Sequence, residues 1–425
     1  MKIIIINHTF QKIQFSKRWQ DLAKDHADWD ITLLAPSEWT WGSGTATTFG
    51  KIEKKKGYDF DDSNFHIRKI AIKKTAHFGW TSEEMIDEID RINPDVVYHI
   101  GSHTQESLIQ ILKHRKKTAG SYKVFAFSMR GPQQNITNIF NLQKHDKRLL
   151  KKFLRLFQYM YEKKKVKTLN KLCDAIFCHY PDGRKAFIDE GYTGPIFMQT
   201  QVGVDTSIFY PDSEKRASMR KKLGINDTTY VFASAVRFNP AKGVLQVLDS
   251  LPSEGDWVYL LMGSGLPEEE QAVRLKIKER NLSDKVILPG FIEWEDMPAY
   301  WNAADCAIHF TQTTPTWIET FSLSLVQAMA TSLPVIGSSS GSIPYQIGSD
   351  GIIVDERNTE QLNEKIRWVI NHKEESCEIG KKLYYRTVRS FSTKHLNELF
   401  YYTINQLLNG IVDENSIDMA NSSIE

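Results

Sequence analysis

Three groups of residues in the second half of the chain have types and spacings suited to chemistry. Glu319 lies in Thr316-Trp317-Ile318-Glu319-Thr320-Phe321-Ser322. Leu323, Leu325, Val326, Met329 and Ala330 follow at the spacing of one helical face. Ser322 sits where an N-cap belongs. A carboxylate in that loop accepts strong charge-assisted hydrogen bonds, as from sugar hydroxyls. The free N–H groups of the helix start suit an anion such as phosphate. Arg237-Phe238-Asn239-Pro240-Ala241-Lys242-Gly243 adds two cations at the end of an apolar run. An arginine fork and a lysine point charge can clamp a diphosphate, and Gly243 permits a tight entry into the next helix. Gly263-Ser264-Gly265 ends a further apolar run, although such glycines alone often only make a turn.

These groups need a scaffold that brings loop ends together. The runs 306–310 and 334–337 read as strands on either side of the Glu319 helix. Glu319 is then at the carboxyl end of a strand, where open α/β sheets bind ligands. Further strands are expected at 230–236, 257–262, 286–288 and 351–354. The first half repeats the alternation, with strands at 3–7, 31–35, 95–101, 124–129 and 175–180 and a helix near 16–25. Such doubling predicts two Rossmann-like domains. The loop after the first strand contains His8 and no glycine, so the diphosphate belongs to the second half. His103, after the strand 95–101, could bind an acceptor or relay a proton, or simply end a helix. Arg130, after 124–129, suits an anionic group or an ion pair. Residues 37–65 are polar and read as irregular; Trp39 and Trp41 there could stack on a sugar ring or anchor the loop. Asp59-Phe60-Asp61 has the spacing of a metal-binding Asp-x-Asp but no apolar strand before it, and reads as a solvated loop.

The Glu319 stretch resembles the Glu-x-Phe-Gly-x-x-x-x-Glu signature of retaining GT-B glycosyltransferases of nucleotide-sugar family four, the glycosyl transferases group 1. Glu319 and Phe321 match; Ser322 stands in the glycine position and Gln327 in that of the second glutamate. Residues 237–243 resemble the family's Arg-x-x-x-x-Lys-Gly, 263–265 its Gly-x-Gly, and 199–211 its interdomain segment. Pro289-Gly290-Phe291-Ile292 resembles the loop that meets the base, and Gly341 a glycine turn near the donor, with Tyr345 in place of the usual glutamate. The resemblance implies an α/β GT-B fold with two Rossmann-like domains facing across a cleft. Residues 1–205 would bind the acceptor and 206–392 the nucleotide sugar. A helix at 393–411 would return to the first domain, leaving a disordered tail at 412–425. Glu319, Arg237 and Lys242 would be catalytic. Gly243, Gly263, Gly265, Phe291, Ile292, Thr320, Phe321, Ser322, Leu323 and Gln327 would hold the donor. Arg130, His103 and His8 would face the acceptor or the cleft. The implied activity moves a sugar from a nucleotide-sugar donor to a glycan or lipid-linked acceptor, with retention. Its setting would be bacterial-type surface polysaccharide or glycoconjugate synthesis, with no metal and no cofactor beyond the nucleotide-sugar substrate. A non-catalytic nucleotide-sugar-binding protein, or a nucleotide-sugar epimerase on the same fold, remains an alternative.

Composition narrows the setting. The chain has 425 residues, 41% hydrophobic and 25% charged, as in ordinary water-soluble proteins. A net charge of +2 gives no global attraction to nucleic acid. No run approaches the roughly 18 apolar residues of a membrane span. The cysteines at 173, 178, 306 and 377 lack a Cys-x-x-Cys spacing and read as reduced packing residues of a cytoplasmic protein. Residues 144–171 are strongly basic, with apolar residues at 149, 150, 153, 154, 157, 160 and 161. That stretch is either a core-packed helix with a solvated basic face or a peripheral contact with anionic lipid at the inner membrane face.

Overall fold

Two parallel sheets grow from the β-branched runs of the two halves. The computed structural model describes residues 1–11, 15–41, 53–75, 79–102, 105–129, 149–315 and 317–421. One compact unit runs to Gln201 and resumes at Asn397; the other spans Val202–Leu396.

The first unit holds an eight-stranded sheet. Its order is Ile196–Met198, Ala175–Cys178, Lys123–Phe127, Val96–Ile100, Lys2–Ile6, Asp30–Pro36, Phe65–Ile70 and Phe60–Asp62. Every neighbouring pair is parallel except the last. The continuous apolar run of Lys2–Ile6 follows from this: Ile3 and Ile5 enter one core cluster, Ile4 and Ile6 the other, so both faces are dry. The helix Thr393–Leu408 adds Phe400 and Ile404 to the first of these cores, beside Trp19, Trp29, Tyr98 and Phe177.

The second unit holds a six-stranded parallel sheet in the order Val286–Gly290, Trp257–Met262, Tyr230–Ala235, Cys306–His309, Val335–Ser338 and Ile352–Val354. Counted along this unit, the order is third, second, first, fourth, fifth, sixth. The chain therefore reverses direction across the sheet between Tyr230–Ala235 and Cys306–His309. The loops leaving the carboxyl ends of these two strands diverge, and the crevice between them is where such sheets bind nucleotides. The α/β GT-B class expected from the sequence is the class found.

Several local expectations need correction. Residues 37–65 are not irregular where described. Glu38–Trp41 pairs with Glu53–Lys56, and Phe60–Asp62 pairs with Phe65–Ile70. The Asp59-Phe60-Asp61 stretch therefore enters a strand, where Asp61 accepts from Arg68 and contacts the His66 ring. The polar tail is ordered through Asn421. Its Glu414–Ser416 turn leads to a parallel bridge from Asp418 to Met198, and Met419 is fully buried. One apolar anchor and edge pairing outweigh the polar composition there. In the helix Leu149–Leu172, Val166 and Leu169 are buried, but Phe157, Met160 and Tyr161 are exposed. Lys165, expected on the solvated face, is buried and pairs with Glu106 at 2.8 Å.

Candidate functional site

The site is built where the strand order of the second unit reverses. After Tyr230–Ala235 the chain passes Arg237 and makes a short 3-10 turn, Pro240–Lys242. Gly243 ends that turn at φ +66°, and a Cβ there would lie 2.0 Å from the Phe310 carbonyl oxygen. Only glycine lets this loop lie so close to the end of the neighbouring strand. Gln312 ties the two strand ends further, its backbone N–H donating to the Ala241 carbonyl at 2.7 Å.

This approach brings Lys242 to Glu319, residues far apart in sequence. Lys242 Nζ donates to Glu319 Oε2 at 2.6 Å, and Trp317 places its ring 4.6 Å from the same ammonium. Glu319 is 6% exposed. Burial alone would raise its carboxyl pKa, but the Lys242 charge, with His309 beside it, overrides burial and holds the pKa to about 2. The carboxylate is thus ionised at any physiological pH. Both neighbours lie against Oε2; Oε1 accepts no hydrogen bond among the described residues and remains available to a ligand hydroxyl.

The Glu319 loop is held by backbone contacts rather than by bulk. Ser342 N–H donates to the Glu319 carbonyl at 2.8 Å. Gly341, at φ +54°, passes so near that a Cβ would lie 2.0 Å from that oxygen. Ser322 caps the helix Leu323–Ala330, its Oγ accepting from Leu325 N–H at 3.3 Å. The buried Gln346 amide grips Ser322 on both sides, accepting from its N–H at 2.9 Å and donating to its carbonyl at 3.0 Å. The orientation of this helix start is therefore fixed before any ligand arrives.

The other expected residues fall around this centre. Arg237 is partly buried just beyond its strand. Its loop is zipped to the glycine loop by Val236 N–H to the Met262 carbonyl and Phe238 N–H to the Ser264 carbonyl, which sets Gly263 and Gly265 beside it. Phe291 is exposed and Ile292 partly buried, beyond the edge strand Val286–Gly290. Thr320, Phe321 and Leu323 are partly buried, while Gln327 is buried on the helix. His8, in the first unit, follows the strand Lys2–Ile6 and lies 4.6 Å, ring to ring, from Trp39. His103 and Arg130 lie outside the described residues. Sequence reasoning missed His309 and Gln346. The signal for His309 was a polar residue ending an apolar run; for Gln346 there was none beyond its neighbour Tyr345. A cavity of about 510 Å³ lined by Arg216, Tyr230, Asp305, Leu333 and Lys373 lies at the amino ends of the same strands, away from Glu319.

Residues 215–385 match the family described as Glycosyl transferases group 1. A GDP-mannose-dependent monoacylated alpha-(1-6)-phosphatidylinositol monomannoside mannosyltransferase of Corynebacterium glutamicum is 30% identical over 178 residues, 40% of this chain and 46% of that protein. The O-antigen chain mannosyltransferase B of Escherichia coli is 29% identical over 126 residues, 29% of this chain and 32% of its own. The chain thus spans less than half the length of these curated relatives. The crystal structure of Anabaena HepE in complex with UDP superimposes with a TM-score of 0.69 at 15% identity, covering 96% of this chain and all of that one. At that identity the likeness concerns the fold alone.

Proposed function

We propose, from the premise that residues 215–385 place this chain among the glycosyl transferases of group 1, that it transfers a sugar from a nucleotide-sugar donor to a glycan or lipid-linked acceptor. The observation that carries this reading is the Lys242–Glu319 pair, buried at the point of strand reversal and framed by a fixed helix start. The donor's diphosphate would enter between Arg237, Lys242 and the first N–H groups of the helix Leu323–Ala330. These positive groups would stabilise the leaving nucleotide, each good donor lowering the barrier by on the order of 3 kcal/mol. Glu319 Oε1 would accept a hydroxyl of the sugar and place its anomeric carbon. With two cations for the diphosphate, the reaction would need no metal. Retention of anomeric configuration follows the family resemblance.

GDP-mannose is the first donor to try, because both curated relatives are mannosyltransferases by name and one is named as GDP-mannose-dependent. A lipid-linked acceptor suits the exposed Phe157, Met160 and Tyr161 beside the exposed Lys163, Lys164 and Lys167. These residues would rest on an anionic membrane from its cytoplasmic side.

The test is calorimetric binding of GDP-mannose against UDP- and ADP-sugars, followed by turnover of the best binder with and without EDTA. Slow donor hydrolysis without an acceptor, surviving chelation, is expected. Binding without hydrolysis or transfer would leave a nucleotide-sugar-binding protein, and activity restored only by magnesium or manganese would mean a metal takes part.

A further inference from the structure

His309 is the polar end of an otherwise apolar strand, Cys306–His309, and reaches the site from beneath Glu319. Its side chain is buried, and its Nε2 has no hydrogen-bond partner among the described residues. Buried ring nitrogens rarely go unsatisfied, so such an atom calls for an explanation. Nε2 lies 3.7 Å from Glu319 Oε2, the same oxygen that Lys242 holds at 2.6 Å. One carboxylate oxygen is therefore contested, and the lysine has it. Among the described residues, Asn239 Oδ1, Thr311 Oγ1 and Gln312 Oε1 are also buried without partners, on the same two strand-end loops.

We propose that His309 is the positioning residue that holds Glu319 when Lys242 is drawn to the donor's diphosphate. This rests on the nucleotide-sugar reading given above. A diphosphate competes directly for the Lys242 ammonium. Once the ammonium turns away, a buried carboxylate would lack its main partner, a costly state in a dry site. A closing movement of about 0.8 Å brings Nε2–H to ordinary hydrogen-bond distance from Oε2. Glu319 then stays ionised and aimed, with Oε1 still directed at the sugar. The imidazole must be neutral and carry its proton on Nε2. Burial favours the neutral ring, Lys242 favours it too, and only Glu319 opposes.

Two variants and one spectroscopic measurement test this. In His309→Leu, kcat for transfer is expected to fall about tenfold or more, while the affinity for the free nucleoside diphosphate changes by less than about twofold. His309→Gln, whose amide can donate to the same oxygen, should recover kcat to within about threefold of the native chain. In ¹⁵N-histidine-labelled protein, the Nε2–H resonance absent from His309→Gln should move downfield and exchange more slowly when nucleoside diphosphate is added. This last measurement needs only folded native protein and one soluble variant. Native kcat in His309→Leu overturns the proposal, as does equal loss of kcat and nucleotide affinity in both variants, or a resonance indifferent to nucleotide. A native chain that binds no nucleotide sugar at all would remove the underlying reading first, before any His309 variant is made.

Discussion

The two sheets reverse strand order at equivalent places, between Lys2–Ile6 and Val96–Ile100 in the first unit and between Tyr230–Ala235 and Cys306–His309 in the second. What the crevices contain is opposite. The second unit places a buried ion pair there, Lys242 with Glu319, on loops that glycines bring into backbone contact. The first places two histidines and an indole. His8 follows one strand and lies tilted against Trp39; His99 is the penultimate residue of the other strand and shares a 2.8 Å hydrogen bond with Ser107. Burial pushes His8 down to about 4 and His99 to about 3, so both rings are neutral at physiological pH. One fold thus supplies a charged crevice suited to a diphosphate and a neutral, aromatic crevice suited to hydroxyl groups. Topology sets where a ligand can sit, and the residues at the strand ends decide which kind.

If that contrast is functional, removing the charge from the second crevice should produce the largest effect. Lys242→Met is expected to weaken nucleotide-sugar binding by about 1.5–3 kcal/mol, as for a lost charge-assisted bond, and to leave binding of the free nucleoside unchanged. Calorimetry with both ligands checks it; equal losses for the two would remove the diphosphate from this crevice. The same variant should alter acid stability. In the native chain the Glu319 carboxyl stays ionised down to about 2 against 4.5 in an unfolded chain. Between those values the unfolded chain binds a proton that the folded chain does not. About 3 kcal/mol of stability is therefore present above pH 4.5 and lost as pH falls toward 2. Without Lys242 only His309 opposes burial at this carboxylate, so the contribution should shrink, which urea melts at pH 3 and pH 6 would reveal.

Glu319→Gln should separate sugar from nucleotide within the same crevice. Transfer is expected to fall by at least about tenfold, or 1.4 kcal/mol of barrier, with nucleoside diphosphate affinity retained. Full activity with the true donor would mean that Glu319 does not act on the sugar. His8→Phe tests the other crevice. Donor affinity should not change, and acceptor KM should rise by a few-fold, as for one neutral hydrogen bond of about 1 kcal/mol. Its stability curve gives a second reading. Between the usual imidazole value of 6.5 and about 4, the unfolded chain takes up a proton that the folded His8 refuses. That group thus costs stability as pH falls through the window, and the Phe variant should lose less than the native chain there.

The charged crevice is legible in sequence; of the neutral one, His8 and Trp39 are legible and His99 is not. Glu319, Lys242 and Gly243 lie in short runs whose loop chemistry declares itself, and the apolar strands before them fix their place at strand carboxyl ends. Their pairing was not legible, because it depends on the Gly243–Phe310 backbone approach across a sheet. His99 is hidden inside an apolar strand, whereas His103 stands out in the polar loop sequence after it. The strand Phe65–Ile70 was missed because His66, Arg68 and Lys69 break its apolar pattern; the structure uses the first two to engage Asp61. The tail departs from the expectation because nine of its thirteen residues, 413 to 425, are polar and conceal the buried anchor Met419 and its neighbour Ile417, which packs on the core.

The smallest expected effect concerns what the first unit adds outside its crevice. The helix Leu149–Leu172 leaves Phe157, Met160 and Tyr161 in water, at 65%, 60% and 53% exposure. Exposing such side chains forgoes about 1.5–3 kcal/mol each relative to full burial. Tyr161 is partly accounted for: its hydroxyl donates to Glu106 at 2.8 Å, and Lys165 lies 4.5 Å from its ring. Among the described residues, Phe157 and Met160 have no such contact. Lys164 and Lys167 on the same helix are exposed, and each would add about 1 kcal/mol of attraction to an anionic bilayer. The second unit should add nothing to membrane binding. Vesicle sedimentation at low salt should therefore pellet the chain with anionic lipid but not with neutral lipid, and added salt should release it. Lys164→Glu together with Lys167→Glu should weaken that binding while leaving nucleotide-sugar affinity untouched. If neutral and anionic vesicles retain the chain equally, or neither does, the basic helix is a solvated face and the difference between the units ends at their crevices.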